Sequence, residues 1–199
     1  MITIALNPND LAKVNRLLGD MKNAVPKVLV RSLNKTLTGV KTDASTAIRA
    51  VINAKKATVD ASFRTVNATA AILTAHFESK GKPLPLIEFS ARQTQQGVSV
   101  QVLKNTPRTV VAGAFIQTIQ RSGHKGVFWR VWHGAKQPKR KLAYGKLPAK
   151  FRLPIKERFG PRVPDILSNE PVMQTVLTKA NERLHTNIEH ELNYELMRM

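Results

Sequence analysis

A chain of 199 residues, 42% of them hydrophobic, is the length of one domain, or of one domain with helical arms, and is long enough to bury a real core. It has no cysteine, which excludes disulfides, thiolate zinc sites and a thiol nucleophile, and its apolar runs fall far short of the roughly 18 residues of a spanning helix, so no membrane partner is expected. With 32 Lys and Arg against 13 Asp and Glu the formal charge is +19, far more than solubility requires, and such a surface invites a polyanion or an acidic protein.

The opening MITIALNPND has neither the basic start nor the apolar stretch of a secretory signal, and the protein is expected to act where it is made. Asn7, Pro8 and Asp10 mark a helix start: Asn7 caps, Pro8 takes the first position where an amide hydrogen is not needed, and Asp10 places negative charge in the first turn. Leu11, Val14, Leu17, Leu18 and Met21 then recur at helical spacing. Pro26 opens a second helix, whose stripe of Leu29, Leu33, Leu37, Val40, Ala44, Ala47, Ile48 and Val51 predicts a long element over 27–52. Thr36, Thr38, Gly39, Thr42, Ser45 and Thr46 lower its propensity, so packing must hold it, and Gly39 is a place for a bend. Lys55 to Arg64 reads as a small basic helix or turn.

From Ala70 the period changes to two. Leu73 to Phe77, Leu86 to Arg92, Val98 to Val102, Thr109 to Ile119 (weakened at Gly113) and Gly126 to Trp132 predict five strands. Short links without helices between them imply a mostly antiparallel sheet. The expected fold is α+β: about five strands packed by the long N-terminal helix, then a Pro/Gly-rich basic arm and a C-terminal amphipathic helix. Residues 1–132 form the core in this reading, 133–167 the arm and 168–199 the closing helix of one domain with extensions.

Residues 121–165 carry 13 of the basic residues and only two acids, and their prolines and glycines deny a continuous helix or central strand. Apolar residues from Leu147 to Leu167 argue that the second half is docked. Lys136, Lys139, Arg140, Lys141 and Lys146, near Phe128, Trp129, Trp132 and Tyr144, are the mixture expected of a surface that reads a nucleic-acid backbone, and equally of a contact with an acidic partner or of a solubilising loop. The closing helix runs apolar through Val172, Val176, Leu177, Ala180, Leu184, Ile188, Leu192 and Leu196. Glu182, His185, Glu189, Glu191 and Glu195 are read as its outer face, an acidic patch suited to a basic surface on another copy or a partner.

No constellation of catalytic residues stands out. His185 and His190 are five apart, a spacing that does not share a helix face, and there is no His-Glu-x-x-His, paired-carboxylate spacing or glycine-rich phosphate loop. His124, His133 and Asp165 would have to be brought together by the fold to form a site. No enzyme activity, catalytic residue, metal or cofactor is expected.

The segment GVFWRVWHG, followed by KLPAKFRLPIKERFGPRVPDIL and the closing helix, resembles the minor tail protein Z family of lambda-like bacteriophages and prophages, as does the order of elements along essentially the whole chain, including SLNKTLTGVKTDAS in the helical N-terminus. The spacing from Leu153, Pro154 and Ile155 to Gly160, Pro161, Val163 and Pro164 is its most distinctive part. The resemblance implies a virion tail protein assembled in the host cytoplasm, which finishes the head-proximal end of the tail as a homo-oligomeric ring, six-fold by the symmetry of tails. Its partners would be other tail and neck proteins, with non-specific contact to the genomic DNA in the channel. The two proline motifs are expected to lay the arm across a neighbour in fixed shape, and Leu184, Ile188 and Leu192 to add assembly contacts. The alternative is a nucleic-acid-binding protein without sequence preference.

Overall fold

The computed structural model describes residues 2–18, 24–120, 122–130 and 155–198. They form two compact units, the first made of Met1–Arg49, Lys56–Gly81 and Val163–Met199, the second of Ala50–Lys55 and Lys82–Arg162. The α+β class and the antiparallel pairing are as expected, with the strands distributed over three three-stranded sheets rather than one.

Unit 1 holds β1 (Ile2–Ala5), α1 (Pro8–Leu18), all but the end of α2 (Ala24–Val51), α3 (Lys56–Asp60), β2 (Phe63–Val66), β3 (Thr74–Ser79), α4 (Val163–Leu167) and α5 (Glu170–Leu196). The N-terminal cap forms as the sequence predicts, the Asn9 amide donating to Asn7 Oδ1 at 3.1 Å. Helix α2 is 28 residues long. Its weak helix formers are accommodated because Ser32, Thr36, Thr38, Thr42 and Thr46 each donate their hydroxyl to the carbonyl four residues back. Antiparallel β3 sits between β1 and β2, pairing Ile4 with Ala75 and Thr65 with Phe77. Ile2, Ile4, Ala75 and Phe77 join Val28, Leu33, Leu37, Val40 and Ile48 among the buried side chains of the unit.

Helices α2 and α5 run antiparallel, and the polar contacts between them read off the register. Arg31 meets Glu195 at 2.9 Å, Lys35 meets Glu191, Asn187 donates to Thr36 Oγ1 at 2.9 Å, and Arg183 meets Asp43 at 2.8 Å. Gly39 lies within this continuous helix, and a methyl group there would collide with the Arg183 side chain as it crosses to Asp43. The glycine provides room for a close approach.

Unit 2 holds a 3-10 turn (Leu86–Glu88), β4 (Arg92–Gln93), β5 (Gly97–Val100), β6 (Thr109–Ala112), β7 (Phe115–Thr118), β8 (Lys125–Arg130) and β9 (Ile155–Glu157), arranged as sheets β4-β5-β6 and β7-β8-β9. Two sequence expectations change for local reasons. The strand expected over Leu86 to Arg92 is interrupted because Pro85 precedes a 3-10 turn and Ser90 adopts a left-handed φ of 51°. The strand expected over Thr109 to Ile119 is split at Gly113, whose φ of 71° turns the chain from one sheet into the next. Strands β1, β2 and β9 are short and lacked a long enough alternation to be read.

The boundaries drawn on the sequence do not coincide with the units. The closing helix belongs with the N-terminal helices, and the described part of 133–167 divides, with β9 in unit 2 and α4 in unit 1.

Candidate nucleic-acid interface

The division into units sorts the charge. Unit 2 carries 18 of the 32 basic residues and 2 of the 13 acids, a formal charge of +16, whereas unit 1 carries 14 and 11, or +3. Unit 1 neutralises itself internally. Lys13 meets Glu189 at 2.9 Å, Arg31 and Lys35 meet Glu191 and Glu195, and Arg183 meets Asp43. The hydrogen bond from Lys13, then its charge and that of His185, hold the Glu189 carboxyl below its ordinary value.

The acidic patch expected on the outside of α5 is an outer face only in part: Glu182, His185 and Glu189 are exposed. Glu191 and Glu195 are buried, because they lie three and seven residues beyond Ile188 and turn with it toward the interior of the unit, where α2 supplies their cations. Leu184, Ile188 and Leu192, expected as assembly contacts, are covered by the chain itself.

In unit 2 both acids are engaged: Glu157 bonds His124 at 2.8 Å and Glu88 lies 3.7 Å from Lys55. Lys82, Arg92, Lys104, Lys125, Lys156 and Arg162 are exposed and have no acidic partner among the described residues. Among the described residues these six cations are uncompensated.

Strands β8 and β9 arrange some of them. Trp129 pairs with Lys156 across the ladder, and the Arg158 amide donates to the Val127 carbonyl at 2.8 Å, so Lys125, Val127, Trp129, Lys156 and Arg158 share one face. The face runs from buried Val127 to half-buried Trp129 and exposed Lys156. The Arg158 guanidinium stands 4.0 Å from the centre of the Trp129 ring. On the opposite face Arg130 lies over Phe115 at 4.9 Å and His124 meets Phe128 edge-on. At Gly126 a methyl group would lie 2.5 Å from the Glu157 carboxylate that reaches His124 and would displace it.

Of the residues singled out on the sequence, Lys136, Lys139, Arg140, Lys141, Lys146, Leu153 and Pro154 lie outside the described residues. Ile155 opens β9. Gly160 and Pro161 are clipped to unit 2, Gly160 donating its amide to Leu84 at 2.7 Å and Leu84 donating back to Pro161 at 3.2 Å. Gly160 cannot carry a side chain, because a methyl would meet the buried Phe89 ring at 2.6 Å. Val163 is buried at the start of α4, and Pro164 follows it there. The second proline motif thus holds its own chain in shape, and of the apolar residues expected to dock after Leu147, Val163 and Leu167 are buried whereas Phe159 is 51% exposed.

His124 is taken up by Glu157, and His133 lies outside the described residues. Among the described residues no group of His, Asp and Glu could hold a metal ion, and no helix is long and apolar enough to cross a membrane. A cleft of about 490 Å³ in unit 2 is lined by Asn53, Lys55, Glu88, Ser90 and Lys125, with Asn53 bonded to Ser90 Oγ at 3.2 Å. Arg108 pins the strained Ser90 by donating to its carbonyl and to Ser99. The stacked Arg158 and the Arg108 clamp were missed on the sequence, where alternation in IKER so close to six prolines was too brief to read as a strand. Comparison of the chain with protein-family models, curated proteins and solved structures found no match.

Proposed function

We propose that this protein is a structural subunit of a bacteriophage tail, a ring-forming completion protein at its head-proximal end, with unit 2 turned toward the genome. The observation that carries this reading is the sorting of charge, +16 on unit 2 against +3 on unit 1. A ring around DNA needs a body whose ion pairs close on themselves and a lining that does not repel the polyanion. The Gly160 to Pro164 segment supports it further, because the resemblance to the minor tail protein Z family rests on that motif and the motif has a defined place in the fold.

In this reading the subunit assembles in the host cytoplasm, joins other tail and neck proteins and ends in the virion. Light scattering coupled to size separation, at tens of micromolar subunit, is expected to give a multiple of 22.1 kDa, six-fold for the tail symmetry, alone or with tail tubes added. A stable monomer under both conditions overturns the ring. The second reading, a sequence-independent nucleic-acid-binding protein, draws on the same charge of unit 2 and is favoured if that monomer binds DNA.

A further inference from the structure

We infer that Arg158, Lys156 and Lys125, on the Trp129 face of β8 and β9, form a binding site for the phosphate backbone of duplex nucleic acid. The inference rests on the reading of unit 2 as the DNA-facing unit and names the residues that make the contact.

Stacking on Trp129 does two things for Arg158. It restricts a side chain that would otherwise lose rotamer freedom on binding, and it leaves the guanidinium edge free to bond two phosphate oxygens. The backbone of Arg158 is fixed on both sides, its amide to Val127 at 2.8 Å and its carbonyl to the Leu86 amide at 3.0 Å. Lys156 stands two residues away on the same face, about 7 Å along the strand, a separation comparable to that of neighbouring phosphates. Lys125 adds a third cation at the other end of β8. None of the three has an acidic partner among the described residues, since Glu157 is committed to His124 and Glu88 faces Lys55.

The form of the ligand follows from the ring. A protein that prefers single strands offers open aromatic faces on which bases stack. Here Trp129 is half-buried and carries Arg158, so contact is made through phosphates, and a duplex presents these most densely, about one charge per 1.7 Å of axis. An acidic protein lacks that regular spacing.

Trp129 and Trp132 are the only tryptophans of the sequence, so with Trp132 replaced the emission reports on the Trp129 face alone. The full chain carrying Trp132→Phe, which leaves Trp129 as the sole emitter, is titrated at low salt with a mixed-sequence DNA duplex, with a single strand of the same length and with poly-glutamate. The duplex is expected to change Trp129 emission saturably, with log K falling linearly in log salt, and to bind more tightly than either competitor. Lys156→Gln and Arg158→Gln are each expected to weaken duplex binding about tenfold at moderate salt and to lower the salt slope by about one. Arg158→Lys should fall between wild type and Arg158→Gln. Lys41→Gln, in unit 1, should have no effect, and circular dichroism of every variant should match the parent.

Unchanged affinity and slope in the Lys156→Gln, Arg158→Gln double variant overturn this site while leaving a DNA-facing unit 2 intact. No duplex binding at low salt overturns both. Tighter binding of the single strand, or equal binding of poly-glutamate, overturns the choice of ligand.

Discussion

Gly39 and Gly160 are small for reasons that lie in their neighbours. A glycine changed to alanine inside an open helix gains about 1 kcal/mol. At Gly39 that gain should vanish or reverse, because the methyl displaces Arg183 from its path to Asp43. In an Arg183→Ala background the same change should stabilise by about 1 kcal/mol, and urea unfolding of the four proteins of the cycle checks it. Gly160→Ala should cost about 1–3 kcal/mol, since Phe89 is fully buried and cannot step aside. Glu189 gives a pH signature. Its carboxyl titrates lower in the folded chain, so its small contribution is present above the ordinary carboxylate value and is lost as pH falls through the folded one. Lys13→Ala should move the Glu189 titration up, with His185 still holding it slightly low, as followed by carbon-detected NMR.

Between α2 and α5 the two signs of charge are not equally sheltered. The Glu191 side chain is 5% exposed, while Lys35 and Arg31 are 51% and 45% exposed. Changing both cations to Met strands Glu191 and Glu195 without a counter-charge and is expected to cost about 3 kcal/mol. Glu191→Met leaves cations that can reach water and should cost less than about 1 kcal/mol, a difference that denaturant midpoints resolve. The helices themselves were legible because apolar spacing and the caps at Asn7 and Pro8 are local signals. The burial of Glu191 and Glu195 was not, since a carboxylate at a core-facing position reads as an outer one until the cation on the partner helix, more than 150 residues away, is known. Short strands such as β9 escaped for the opposite reason: three residues do not establish a period.

For the whole molecule, the concentration of charge was legible in the sequence but the two units were not, because unit 1 is assembled from three separated segments and unit 2 lies between them in the chain. That interleaving bears on how the protein is made. Thr36 meets Asn187 across 151 residues. At about 5–20 residues per second of synthesis, α2 waits on the order of 10 s for α5. Throughout that interval the flank of α2 around Ser32 and Thr36, destined to be buried, has no partner in its own chain. A chain stopped at Ser168 should therefore bind an apolar dye and aggregate, whereas the complete chain should do neither. Translation then acts as a timer: unit 1 cannot be finished until the whole of unit 2 has been synthesised.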